Sequence, residues 1–339
     1  MQKRIAFCAM IVLTLIIAAP LGAVVAAQPA RTPVRIEVPS TGNLQFFTLW
    51  VALGAGYFQQ EGLEPQIVAA PNPRAVGQRL LKGEAEAALL PPPMFLGMIA
   101  EEKPILLFAS LLANEPIDLI VRNDVAESRQ ISAGATLRER LDKIRGLKVG
   151  LASEVSPRLR TLFAAAGMNA DKDAQFVTIA GPDQVQALAD GKVDALFAHT
   201  PYLETALLHQ HAVLIANTSA GEISELSNGQ IHALATTRRE AQDKPEIVAA
   251  MTRAVGRAEK LIHSDPEAAV EAILKSGFAR TDREQLETIT RIYAPAVPRT
   301  PKISLTGIIH DATLYPAHPR APDFRRVDVS RYVASQFAE

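Results

Sequence analysis

Cysteine is almost absent from this 339-residue sequence: the single one, Cys8, lies inside an apolar N-terminal run. Beyond it there is no thiol, so disulfides and thiolate metal sites are excluded from the rest of the chain. Aromatic residues make up 5% of the sequence, with one Trp. That is too little for an all-β sandwich core or a base-stacking platform. A net charge of -1 leaves no basic excess for nucleic-acid binding. Enzyme signatures are missing too: there is no G-x-S-x-G, no Walker A, no H-E-x-x-H and no Rossmann G-x-G-x-x-G. Gly54-Ala55-Gly56 is a lone G-x-G at a helix end. His209 and His211 have no third metal ligand in sequence reach, so neither a metal nor another cofactor is expected.

What is present describes a globular protein long enough for two domains, with 48% hydrophobic and 21% charged residues. The first residues read as a targeting segment. Lys3 and Arg4 precede an apolar core at 5–19, Pro20-Leu21-Gly22 breaks it, and small residues follow at 23–27. The expectation is a cleavable signal peptide over 1–27, with Val25 and Ala27 at the -3 and -1 positions. An uncleaved membrane anchor is the alternative, because 5–27 is long enough to span a bilayer. Cys8 comes too early for a lipoprotein cleavage site. Export to a bacterial periplasm follows as the expectation.

The chain then says roughly the same thing twice. Residues 83–93 read GEAEAALLPPP and residues 191–201 read GKVDALFAHTP, pairing Gly83 with Gly191, Glu86 with Asp194, Ala87 with Ala195 and Pro93 with Pro201. Gly62-Leu63 and Gly167-Met168 extend the echo upstream. Strand patterns at 34–38, 64–69 and 85–90 alternate with helical ones, and strands at 147–152, 176–179 and 193–197 repeat the order. Such βαβ units predict parallel sheets. Two copies predict two α/β lobes with a cleft between them. Further strand-like runs follow each copy, and the last of each set is read as crossing into the other lobe. Lobe one is then 33–115 plus 230–339, and lobe two 116–229. Helical patterns at 245–263, 266–276 and 282–293 would pack around lobe one.

Ligands bind outside the carboxyl ends of parallel strands, so the repeat nominates loops. In lobe one these are Ser40 to Asn43, Asn72 to Arg74 and the rigid, donor-free wall Pro91-Pro92-Pro93 with Met94. In lobe two they are Ser153 to Ser156, Gly181 to Asp183 and His199-Thr200-Pro201. Ser153 and Ser156 sit at a helix start, where free N–H groups favour a polar acceptor, with plain capping the alternative. Glu154 beside them could accept from an amine, an amide or an Arg. Arg74 and Arg158 are the cations nearest the expected cleft, and each reads first as a surface residue. His199 directly follows a buried strand and is the best-placed histidine. Phe46, Phe47 and Trp50 share a helical segment and read mainly as core.

Four segments together resemble a known family: GYFQQEGLEPQIV (56–68), LLKGEAEAALLP (80–91), RGLKVGLASEVSPRLRTLFAAAGM (145–168) and LADGKVDALFAHTPYLETA (188–206). They are similar to the substrate-binding proteins of ABC importers for nitrate, sulfonates and taurine, whose relatives bind pyrimidine precursors of thiamine. The resemblance implies a type II periplasmic binding fold, two α/β lobes that close on a ligand by a hinge. It also implies delivery to an inner-membrane permease, action as a monomer and no enzymatic activity. Ligand contacts would fall on Ser40, Thr41 and Asn43 in lobe one, and on Ser153, Glu154, Ser156, His199 and Thr200 in lobe two. With the wall at Pro91, Pro92 and Met94, the expected solute is small and organic, sulfonate-like or pyrimidine-like. The rival reading is an enzyme on the same fold, a pyrimidine-precursor synthase or a menaquinone-pathway lyase. The export signal and the thiol-free body argue against it. A sensor module is a third reading, for which no transducing domain is seen.

Overall fold

Alternating apolar residues make β1 (Thr32–Val38), whose Val34, Ile36 and Val38 are fully buried. The computed structural model containing it describes residues 30–338, apart from 133, 153–155, 210–211 and 316–322. The expected signal peptide therefore lies outside the described residues. β1 pairs in parallel with β2 (Leu63–Ala69) and with β3 (Ala87–Leu90), a strand buried on both faces. Beyond β3 lie β10 (His232–Thr237) and then β4 (Ile105–Leu112), giving the order β2-β1-β3-β10-β4. The second sheet contains β5 (Asp118–Arg122), β6 (Lys148–Leu151), β7 (Gln175–Thr178), β8 (Ala195–Ala198) and β9 (Ala212–Ala216). Its order is β7-β6-β8-β5-β9.

Each sheet is mixed rather than purely parallel. β10 runs antiparallel to β3 and β4, and β5 runs antiparallel to β8 and β9. These two strands arrive from the other sheet, which reverses their direction. The segments that carry them across lie side by side. Gly229 N–H donates to Ala113 O (2.7 Å), Asn228 N–H to Asn114 Oδ1 (3.1 Å), and Asn114 Nδ2 to Ser219 O (3.0 Å). Asp118, wholly buried at the start of β5, accepts from Ser219 N–H and from the Ser219 and Thr218 hydroxyls. Burial pushes its pKa up to about 6 even against those bonds.

The echo in the sequence has a physical cause. Gly83 and Gly191 end matching helices with φ of 72° and 68°, a left-handed conformation that suits glycine. Three residues on, Glu86 accepts from Arg35 N–H (2.8 Å) at β1, and Asp194 accepts from Lys148 N–H (3.0 Å) at β6. Each carboxylate holds a backbone N–H of the strand that begins its copy, midway along β1 in the first and at the start of β6 in the second. Helix starts follow their signals: Asn72 caps Pro73–Leu81 and Ser156 caps Pro157–Ala165, accepting from Leu159 N–H.

Three expected loops belong to helices instead. Asn72 to Arg74 supply the N-cap and first residues of the helix Pro73–Leu81. Gly181-Pro182-Asp183 is the first turn of the helix Gly181–Ala189. Pro91 is the N-cap of the helix Pro92–Ala100, whose first turn takes Pro92 and Pro93. Proline is tolerated there because those N–H groups have no helical partner anyway. Helices Pro245–Ser264 and Pro266–Lys275 pack on Phe47–Gly54 beside the first sheet. Among the described residues no helix is long and apolar enough to cross a membrane.

Candidate functional site

A cavity of about 380 Å³ is lined by residues from the strand ends of both sheets. The rule of carboxyl strand ends explains part of its wall: Pro39 follows β1, Pro91 to Met94 follow β3, and His199 follows β8. The antiparallel strands add their amino ends. Glu115, Pro116 and Ile117 lead into β5, and Ile231 and His232 open β10. Asn43, Gln45 and Phe46 come from the turn before the helix Phe47–Gly54, and Tyr315 follows the helix Leu305–Leu314. A recess of about 40 Å³ shares Ile117, Arg158 and His199 with this cavity and adds Ser156. A broader groove of about 1180 Å³ runs along the C-terminal helices past Asn114 and Asn228. From the strand ends it takes only Ala113 and Asn114 after β4, and most of its lining is helical, so its size does not make it the better candidate.

Charge in the cleft is concentrated in one cluster. Arg158, from the second sheet's side, places Nη1 2.7 Å from Glu115 Oε1 and 3.3 Å from the Tyr315 hydroxyl. The Tyr315 hydroxyl donates to the other Glu115 oxygen, and the guanidinium lies over the Tyr315 ring at 4.6 Å. Burial alone lowers the pKa of Arg158, but the attraction of Glu115 outweighs it and leaves the guanidinium more firmly protonated than usual. Burial, with Glu115 beside it, raises the Tyr315 phenol well above its ordinary value, so the hydroxyl stays a donor. Glu115 itself is 1% exposed.

Both histidines of the lining are neutral at pH 7. Burial lowers His232 to about 3, with a hydrogen bond to the Gln45 backbone opposing the shift. Its ring meets Phe46 edge-on at 5.1 Å, and its Nδ1 is buried without a partner. Burial also holds His199 below the ordinary value. His199 Nδ1 lies 2.6 Å from Thr200 O, and since a carbonyl can only accept, the ring donates there. Around them, Asn43 Oδ1 accepts from Gln45 N–H (2.8 Å), and Gln45 Nε2 reaches Pro116 O (3.3 Å). That contact ties the first turn to the crossing segment.

Of the residues nominated from sequence, the cavity brings together Asn43, Pro91, Pro92, Met94 and His199, with Ser156 in the adjoining recess. Ser40 and Thr41 are exposed and outside the lining, and Ser40 Oγ accepts from Gly42 N–H within its own turn. The Thr200 side chain is fully buried away from the lining, its backbone N–H donating to the Tyr293 hydroxyl (3.0 Å). Ser153 and Glu154 lie outside the described residues. Arg74 is exposed. Arg158, read first as a surface residue, is instead half-buried in the cleft, because Glu115 and Tyr315 compensate its charge. Sequence reasoning missed Gln45, Glu115, Ile231, His232 and Tyr315. The one available signal was the pair of crossing strands, whose reversed direction puts their first residues at the cleft. Among the described residues no three His, Cys, Asp or Glu side chains gather to hold a metal.

Comparison with known proteins places this geometry. The model of the NMT1-like family matches residues 18–275. No curated protein sequence matches the chain. Among solved structures, the alkanesulfonate-binding protein SsuA from Xanthomonas axonopodis pv. citri, bound to MOPS, superposes with a TM-score of 0.59 at 17% identity. The match covers 91% of this chain and 99% of that one. The periplasmic aliphatic sulphonate binding protein SsuA from Escherichia coli gives 0.62 at 15%, over 90% and 92% of the two chains. The periplasmic nitrate-binding protein NrtA from Synechocystis PCC 6803 gives 0.53 at 15%, over 75% and 69%. At these identities the likeness establishes the fold, that of a periplasmic binding protein with two α/β halves. The named neighbours are binding proteins rather than enzymes.

Proposed function

The chain belongs to the NMT1-like family, and from that premise we propose that it is the solute-binding component of an ABC importer. It captures a small organic solute between two lobes, 33–115 plus 230–339 and 116–229, and delivers it to an inner-membrane permease. The paired crossing segments act as the hinge, and the bound solute stabilises the closed state. It works as a monomer in the periplasm, exported by a signal peptide at 1–27. Solute contacts come from Asn43, Pro91, Pro92, Met94 and His199, with Ser156 in the recess.

The observation that carries this reading is the cavity of about 380 Å³, lined by groups from both sheets and both crossings. Its volume falls within the range of about 300–1,000 Å³ usual for small-molecule pockets, and apolar walls frame a few polar groups. The names of the structural neighbours, sulfonate- and nitrate-binding proteins, support the same role. Mass spectrometry of the solute released from purified protein by gentle denaturation tests it. That solute, added back, should raise the melting temperature and remain chemically unchanged. Reproducible turnover would overturn the receptor reading.

A further inference from the structure

The charge pattern of the cleft goes one step beyond a receptor for an unnamed solute, and rests on that reading. Among the described residues, the lining holds one Lys or Arg, Arg158, and one carboxylate, Glu115. They are joined at 2.7 Å, with the Tyr315 hydroxyl completing the pair. The one cation among them already has its charge compensated, Nη1 engaged by Glu115 and Tyr315 while Nε has no partner, so an incoming anion meets a neutral pair and approaches a carboxylate that is already desolvated. Like charges brought together in this way cost several kcal/mol. The two imidazoles supply a second, independent observation. His199 gives its Nδ1 proton to Thr200 O, which leaves Nε2 as a lone-pair acceptor. His232 bonds the Gln45 backbone and leaves Nδ1 without a partner. Neutral imidazole acceptors require a ligand that brings a proton of its own. A sulfonate or nitrate ion brings none.

We propose that Glu115 is a specificity-determining residue: by occupying Arg158 it makes the cleft reject free anions and select an uncharged solute that donates N–H or O–H bonds to the histidines. The site is thereby separated from an anion receptor by one carboxylate.

A matched pair of probes tests this. Benzenesulfonamide and benzenesulfonate have nearly the same shape, but the first is uncharged and carries N–H groups while the second is an anion without a donor. In calorimetric titration of the wild-type protein, the sulfonamide should bind at least about tenfold more tightly than the sulfonate. Glu115→Gln frees the arginine's charge and should reverse the order. If that variant does not fold, Arg158→Gln serves instead: it leaves Glu115 unpaired and should gain binding of benzamidinium. Wild-type protein that takes benzenesulfonate as tightly as the sulfonamide overturns the proposal. So does a folded Glu115→Gln variant that gains no sulfonate binding, or a folded Arg158→Gln variant that gains no benzamidinium binding. Tight anion binding by the wild type would leave the receptor reading standing, whereas turnover of the co-purified solute would remove that reading and leave the charge preference measurable.

Discussion

Replacing Glu259 with glutamine should stabilise the protein, and more strongly as the pH rises. Glu259 lies in the helix Pro245–Ser264 with a fully buried side chain, and neither carboxyl oxygen has a partner. Burial alone pushes its pKa from 4.5 up to about 9. At pH 7 the folded protein therefore keeps the proton that the unfolded chain releases. The folded pKa is above the unfolded one, so the stability tied to this proton is fully present below pH 4.5 and is lost as the pH climbs towards 9. One pKa unit corresponds to about 1.4 kcal/mol, so holding the proton costs about 1 kcal/mol at pH 5 and about 3 kcal/mol at pH 7. Glutamine has nearly the same shape and nothing to release. Urea unfolding of both proteins at pH 5, 6, 7 and 8 should give a stability gap that widens steadily with pH. Glu204 and Asp311, each raised to about 8 by burial, impose a slope of the same sign on both proteins and cancel in the difference. A gap that is constant or narrows with pH would refute the reasoning, because it would mean that Glu259 is ionised in the fold.

Other changes probe packing and the cleft. In Gly54→Ala the new methyl would sit 1.7 Å from Ala272 O, forcing apart the helices Phe47–Gly54 and Pro266–Lys275. Thermal unfolding should show a loss of about 1–3 kcal/mol or more, and an unchanged melting temperature would contradict that close approach. Tyr315→Phe removes the hydroxyl that donates to Glu115 and should cost about 1–3 kcal/mol in chemical denaturation; a neutral result would mean that the carboxylate finds another donor. For His232, imidazole nitrogen signals followed by NMR from pH 8 down to 5 should show no titration, since burial places its pKa near 3. An inflection near 6.5 would show that the ring is open to water.

Much of the architecture was legible because it rests on local rules. The strand alternation of β1, the apolar run of β3 and the cap Ser156 each act over a few residues. The echo between Gly83–Pro93 and Gly191–Pro201 was legible for the same reason. A left-handed turn and a carboxylate three residues later solve the same local problem twice. Reading Pro91-Pro92-Pro93 as a loop failed because proline blocks a helix interior but not its first turn. Thr200 lies outside the cavity lining because adjacency to His199 in sequence says nothing about direction, and its side chain is fully buried.

The sequence by itself determined two βαβ copies, their strands, and hence that the loops after β1, β3 and β8 gather at one edge. It also determined the family, since the four segments that carry the resemblance are contiguous runs. Tertiary structure alone decided the chemistry of the cleft. Arg158 meets Glu115 and Tyr315 across separations of 43 and 157 residues, and no local pattern encodes such a meeting. The chain crosses between the sheets at two places, and each crossing reverses the strand it delivers. That reversal sets Glu115 and His232 beside the carboxyl ends of the parallel strands. There an acid cancels a base, and a histidine is left with a free nitrogen.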